Sequence, residues 1–162
     1  MKVVLSKGDM ERVKRVVARQ RAHYRGKPNG HGAKANAISY DDEVGGFAGE
    51  LAVATALGAK WHAETTLDTS GPDVGRATQV RTLTRPTSKR LLVRPHDLKK
   101  YGDVPFVLVR RDGEREFTLL GWVYGDDVPV RGRKTDGGDP SRPPMFLVDP
   151  DDLEPMAGLK VA

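Results

Sequence analysis

The chain contains no cysteine among its 162 residues, which excludes disulfide bonds and metal sites built from thiolates. It also lacks long apolar runs: the first eight residues are too short a hydrophobic stretch for a signal peptide, and no segment approaches the roughly 20 residues of a membrane span. Its four histidines do not stand at zinc-binding spacings, and neither a phosphate-binding glycine loop nor an acyl-transfer motif is present. We therefore expect a cytoplasmic protein with no membrane partner.

Charged residues are abundant and unevenly distributed. They make up 30% of the chain and give a net charge of +5, in a length that most simply forms one domain. Residues 1–40 and 76–100 carry net charges of +8 and +7, whereas residues 41–75 and 101–162 carry −6 and −4. Two basic blocks around an acidic block are typical of a protein that binds phosphates around a metal centre. A solvated surface with chance clustering gives the same pattern.

The basic N-terminal region, residues 1–38, is predicted to form a helix and a loop. Apolar residues recur at helical spacing over 9–24, and Ser6 or Asp9 can cap this helix. Its other face is basic and can either follow a nucleic-acid backbone or simply be solvated. Residues 25–37 are rich in Gly, Asn and basic residues, which predicts a mobile loop. Such a loop can close on a polyanion or serve as a plain linker.

A second helix is predicted from Ser39 to Gly58. Ser39 is a suitable N-cap, three acidic residues follow it at the positive end of the helix dipole, and Gly58 is a typical terminator. Glu50 lies at the edge of the apolar stripe of this helix. A carboxylate that borders a buried face tends to be paired or to bind a metal, because a lone buried charge is costly. The alternative is a glutamate at the rim that reaches solvent.

The remainder alternates strand patterns with turn signals. Strands are predicted at 61–67, around 79–82, and at 90–93, 106–109, 117–124 and 145–148, with a helical turn at 95–101, a flexible surface loop at 129–144 and a short helix at 151–156. Asp112-Gly113 is a strong hairpin signal. The whole chain is therefore predicted to be one α/β domain, with a central mixed β-sheet flanked by helices, a core at 39–125 and a C-terminal strand and short helix at 145–162.

The segment Gly71–Thr82 carries the main candidate site. Asp73 follows a Gly-Pro break, a tight turn is predicted at 74–76, and Gln79 and Arg81 follow on a strand. Residues two apart on a strand point to the same face, so Gln79 and Arg81 can share a surface with Asp73. An acid, an amide carbonyl and a fixed cation at one place can hold a metal-bound phosphodiester. A surface hairpin with ordinary polar residues is the alternative.

Three pieces of the sequence together resemble the PD-(D/E)XK nuclease superfamily. These are residues 49–54 with Glu50 in the helix, Pro72-Asp73 at the turn and Gln79-Val80-Arg81 in the strand. The stretch Leu153-Glu154-Pro155-Met156 also resembles the end of small phage-type members of this superfamily. The resemblance covers roughly residues 40–125 in the order of elements. It implies a restriction-endonuclease-like core and metal-dependent hydrolysis of phosphodiester bonds.

The resemblance also implies the role of each matching residue. Asp73 would bridge one or two Mg²⁺ or Mn²⁺ ions, Gln79 and the carbonyl of Val80 would complete the coordination, and Glu50 would bind metal directly or through water. Mg²⁺ prefers hard oxygen ligands of this kind. The chain departs from the family pattern at Gln79, where an acid is usual, and at Arg81, where lysine is usual. Arginine cannot act as a base, so either the metal alone activates water or another cation, such as Lys89, assists.

The sequence thus predicts a nuclease, with nucleic acid as its partner and DNA favoured over RNA. A homodimer would suit an enzyme that cuts both strands. The alternatives are a nuclease-like fold that binds nucleic acid or a protein without cutting, and a small interaction protein whose acidic residues are structural. The basic residues predicted to hold the nucleic-acid backbone are Arg12, Arg15, Arg19, Arg25, Lys27, Lys34, Arg85, Lys89 and Arg90.

Overall fold

The computed structural model describes residues 1–25, 38–67, 70–138, 140–141 and 143–160. Its helices are Lys7–Tyr24 (α1), Tyr40–Leu57 (α2), Pro95–Tyr101 (α3) and Val128–Arg131 (α4). Its strands are Lys2–Val4 (β1), Gln79–Leu83 (β2), Leu91–Val93 (β3), Pro105–Arg111 (β4), Glu116–Tyr124 (β5), Arg133–Thr135 (β6) and Met145–Val148 (β7). Short 3-10 helices lie at His62–Glu64, Gly125–Asp127, Pro150–Asp152 and Met156–Gly158.

The strands form two sheets. The first has the order β1-β5-β4-β2 and is mixed, because β2 runs parallel to β4 while the other pairs are antiparallel. The second is antiparallel, with the order β3-β7-β6. An α/β fold with a mixed sheet is therefore confirmed, whereas the second sheet was not predicted.

The two faces of the mixed sheet have different neighbours. Residues of α1 and α2 form one hydrophobic cluster with Val80, Val107 and Val109. Leu83, Phe106 and Leu108 belong to a second cluster, which includes buried residues of β3 and β7 and has α3 residues packed against it. Alternate residues of β2 and β4 therefore point to opposite layers, as expected for strands buried on both faces.

Local capping signals predicted the two long helices correctly. Ser6 accepts a hydrogen bond from the amide of Asp9 at 3.0 Å, and the Asp9 carboxylate accepts from the Ser6 amide, which completes a capping box. Ser39 accepts from the Asp42 amide at 3.0 Å. Gly58 ends α2 with a φ of +60°, a conformation that glycine adopts without strain.

The strand predicted at 61–67 is wrong. Trp61 makes a single bridge to Val74, and the chain then turns into the 3-10 helix, because the amides of Thr65 and Thr66 both bond to the carbonyl of His62, at 2.9 and 3.1 Å. Arg19 on α1 donates to two carbonyls of this turn. The alternating apolar and polar residues of 61–67 therefore do not form a strand, because the contact with α1 stabilises a turn instead.

Two predictions for the C-terminal part also differ from the structure. Within the segment predicted to be a flexible loop, 129–144, the end of α4 and strand β6 are regular, and β6 pairs with β7. The helix predicted at 151–156 is replaced by two 3-10 turns, between which Glu154 is extended and pairs with Trp122, with N···O distances of 2.8 and 3.0 Å. Backbone pairing with β5 at this point excludes a continuous helix.

Candidate functional site

Asp73 is held beside β2 by a tight hairpin. The amide of Asp73 donates to Thr78 at 2.9 Å, and Val74 and Thr78 pair with each other. Gly75 has a φ of +60° at the turn, so the predicted turn at 74–76 is present. The Asp73 carboxylate then accepts the amide of Val80 through Oδ2 at 2.7 Å, which places it at the outer edge of β2, the last strand of the mixed sheet.

Glu50 reaches the same region from α2. This helix lies unusually close to β2, because Gly49 faces Thr82: a Cβ on Gly49 would stand 2.0 Å from the Thr82 hydroxyl oxygen. The Glu50 carboxylate accepts a hydrogen bond from the indole nitrogen of the buried Trp61 at 2.9 Å. Gly49 therefore allows α2 to pack closely on β2, and this contact brings Glu50 towards the edge of the sheet.

Burial changes the acidity of both carboxyl groups. Burial, and then the negative charge of Asp73, raise the pKa of Glu50 well above its ordinary value, while the hydrogen bond from Trp61 opposes the shift. Burial also raises the pKa of Asp73, against the lowering effects of the Val80 amide and of Arg81. Two half-buried acids that repel each other's charge would be stabilised by a cation between them.

Gln79 and Arg81 lie on the other face of β2 from the α2 layer. Gln79 is 4% exposed, and its amide nitrogen donates to the carbonyl of Gly71 at 3.2 Å. The Arg81 guanidinium lies 5.4 Å from the centre of the Phe106 ring and 3.8 Å from Oδ2 of Asp73. The structure therefore brings Asp73 and Arg81 together as predicted, with Glu50 and Arg81 approaching the edge of β2 from opposite sides of the sheet.

Asp97 is a site residue that the sequence analysis missed. It lies in the first turn of α3, and its Oδ2 is 3.3 Å from Nη2 of Arg81. Its Oδ1 is 3.0 Å from Nε2 of His96. The sequence does contain a signal that Asp97 pairs with a basic residue, because it is the single acid in the block 76–100, which has eight Lys and Arg residues.

The donors available for a metal are two carboxylates, an amide and a backbone carbonyl. In the part of the chain that the structure describes, no cluster of three or more His, Asp or Glu side chains could hold a metal ion. The carbonyl of Val80 accepts a hydrogen bond from Nη1 of Arg81 at 3.0 Å. Glu50 and Asp73 fit a divalent cation by their oxygen chemistry, whereas Val80 fits only when Arg81 moves away.

A basic cleft of about 830 Å³ opens next to this site. It lies between the start of α2, the end of β2 and strand β3, and Arg81 and Asp97 form part of its wall. Its other basic residues are Arg85, Lys89, Arg90 and Arg94.

Two of these cleft residues are held by acids, and two are not. Arg85 pairs with Asp42 at 2.7 Å and, with Thr84, lowers the pKa of Asp42 to about 2. Arg90 pairs with Asp149. Lys89 and Arg94 are exposed, and among the described residues neither belongs to an ion pair. The cleft therefore presents positive charge that is available to an anion.

Only part of the predicted basic surface of α1 is free to bind a nucleic-acid backbone. Arg12 makes a two-pronged pair with Glu64 at 2.9 Å and also contacts Asp9, and Arg19 bonds to the carbonyls of residues 63 and 64. Arg15 and Arg25 are exposed. Lys27 and Lys34, which were also predicted to bind nucleic acid, lie outside the described residues.

No protein family, curated protein or solved structure gives a significant match to this chain. Of the described helices, none combines the length and the apolar character needed to cross a lipid bilayer.

Proposed function

We propose that this protein is a metal-dependent nuclease that hydrolyses phosphodiester bonds, with DNA as the favoured substrate. The observation that carries the proposal is the pair of half-buried, mutually repelling carboxylates, Glu50 and Asp73. They lie near Arg81, which also lines a basic cleft. Acids with raised pKa values beside a surface for polyanions are typical of a functional site.

The order of elements supports the restriction-endonuclease-like core. Helix α2 with Glu50 is followed by the bridge at Trp61, the turn segment with Asp73, strand β2, strand β3 of the second sheet, helix α3 and strand β4 parallel to β2. Of the order expected from the resemblance to PD-(D/E)XK nucleases, the helix with Glu50, the turn with Asp73 and the strand with Gln79 and Arg81 are present, whereas the strand at 61–67 is not.

Each site residue has a distinct part in this proposal. Glu50 and Asp73 would hold Mg²⁺ or Mn²⁺, with Gln79 as a neutral ligand and the Val80 carbonyl available once Arg81 has left it. A divalent ion held there would supply an acidified water and would shield negative charge at the phosphate. Arg81 binds the scissile phosphate, since its guanidinium matches phosphate oxygens and keeps its charge at all relevant pH values.

The test is metal-dependent cutting of plasmid and linear DNA. Protein incubated with Mg²⁺ or Mn²⁺ should cut, and EDTA should abolish cutting. Asp73→Asn and Glu50→Gln preserve shape but remove charge, and each should reduce cutting at least about a hundredfold, as loss of a charge-stabilising group does in other hydrolases. Glu64→Gln is the matched control, because it removes an ionised acid bonded to Arg12 and should leave cutting unchanged.

A second function is favoured by one specific contact. The hydrogen bond of Arg81 to the Val80 carbonyl occupies a position that the resemblance assigns to a metal, and this supports a protein that binds nucleic acid without cutting. In that case DNA binding would fall with salt, would not need metal, and would be unchanged in Asp73→Asn. Absence of both cutting and binding would leave the acidic residues with a structural role in an interaction protein.

The homodimer expected for a double-strand cutter is part of the same proposal, as is action in the cytoplasm. Light scattering of the purified protein with and without duplex DNA measures the oligomeric state directly. A monomer under both conditions would favour cutting of one strand at a time.

A further inference from the structure

Three oxygen atoms lie near the Arg81 guanidinium, and two of them accept hydrogen bonds from it. Its Nη1 donates to the Val80 carbonyl at 3.0 Å, and its Nη2 donates to Oδ2 of Asp97 at 3.3 Å. The third oxygen, Oδ2 of Asp73, is 3.8 Å from Nη1, too far for a hydrogen bond. Arg81 is therefore bonded to Asp97 and to its own strand, but only adjacent to Asp73.

Asp97 is itself firmly placed. Its side chain is 15% exposed, and Oδ2 also accepts from the amide of Arg94 at 3.4 Å at the start of α3. Oδ1 contacts Nε2 of His96 at 3.0 Å. Contacts within its own helix thus fix the carboxylate that holds Arg81.

We propose that Asp97 is a positioning residue that keeps Arg81 away from Asp73, so that the Asp73 carboxylate stays available to a divalent cation. The inference rests on the proposed function. Arginine and aspartate in a partly buried site tend to form a close, two-pronged pair. Such a pair at Asp73 would occupy the oxygens that a cation needs and would add positive charge beside them. Because Asp97 competes for the Arg81 guanidinium, this pair between Arg81 and Asp73 does not form.

Two simpler roles for Asp97 make different predictions. As a cap of α3 it would affect folding and not metal binding. As a nearby negative charge it would favour cation binding directly, whether or not Arg81 is present. The positioning role acts only through Arg81, so a double-mutant cycle of Asp97 and Arg81 separates it from both.

The experiment measures Mn²⁺ binding to the full chain by titration calorimetry in four proteins: wild type, Asp97→Asn, Arg81→Ala and the double variant. Asp97→Asn should weaken binding about tenfold, as loss of a group that orients a metal ligand commonly does. With Arg81→Ala in place, the same substitution should weaken binding less than about threefold, because only a partly screened charge is then lost. Thermal melts of all four proteins show whether each is folded.

Asp9→Asn is the matched control, because Asp9 also lies in the first turn of a helix and pairs with an arginine, Arg12, but on α1. It should leave Mn²⁺ binding unchanged. Equal weakening by Asp97→Asn in both backgrounds, or none in either, would overturn the positioning role while leaving the nuclease proposal intact. A folded wild type that binds no Mn²⁺ would overturn the metal-dependent function and the positioning role together.

Discussion

At the scale of single residues, Glu50 is the group least suited to a stable fold. Its carboxylate is half-buried near a second acid and has one described hydrogen bond, from Trp61. The raised pKa means that folding favours the protonated form, so the folded state binds more protons than the unfolded state between the ordinary pKa and the raised one. Stability should therefore decrease as pH rises through that window and should stay low above it.

Glu50→Gln should remove this loss of stability. Glutamine keeps an acceptor for the Trp61 indole but carries no charge. At neutral pH the variant should exceed wild type by roughly 1–3 kcal/mol in free energy of unfolding, the usual cost of an uncompensated buried polar group. The difference should diminish in acid, below the ordinary pKa of glutamate. Urea denaturation at a series of pH values measures it, and a gain independent of pH would show that the charge of Glu50 is not the cause.

At the scale of elements, the contact of α2 with β2 sets the position of Glu50. Gly49→Ala places a methyl group 2.0 Å from the hydroxyl oxygen of Thr82, and we expect a loss of about 1–3 kcal/mol from overpacking. Gly46 on the same helix is the control, since a Cβ there meets nothing within 4 Å. Gly46→Ala should instead stabilise by about 0.5–1 kcal/mol, because alanine favours a helix interior. Urea denaturation compares the two, and equal changes would contradict a tight contact at Gly49.

The elements that sequence predicted well are those whose signals are local. The caps at Ser6 and Ser39, the stop at Gly58 and the Asp112-Gly113 turn each depend on residues within a few positions. The 62–64 turn was missed because Arg19, which bonds to it, is 45 residues away from Glu64. The contact of Asp97 with Arg81 and the sheet formed by β3, β6 and β7 depend on tertiary pairing; two of these strands were predicted, but their partners were not, and β6 has only three residues.

At the scale of the whole molecule, the fold determines which of the two basic surfaces is free to bind a polyanion. Sequence distributes positive charge over two blocks, and only the fold shows that they differ. On α1, Arg12 and Arg19 stabilise the turn after α2. In the cleft, Lys89 and Arg94 are exposed beside the Arg81 wall of the site. If the protein binds DNA, the backbone should therefore lie along the cleft and not along α1.

Replacing both cleft residues, Lys89→Ala with Arg94→Ala, should weaken DNA binding and reduce the slope of log K against log salt by about two, one for each lost phosphate contact. The matched variant, Arg15→Ala with Arg25→Ala, removes the same charge from exposed positions on and just after α1 and should change the slope by less than about one. Fluorescence anisotropy with a labelled duplex from low to physiological salt measures both. A larger effect from the α1 pair would place the nucleic-acid surface on α1, and the carboxylates at β2 would then lie apart from the substrate path.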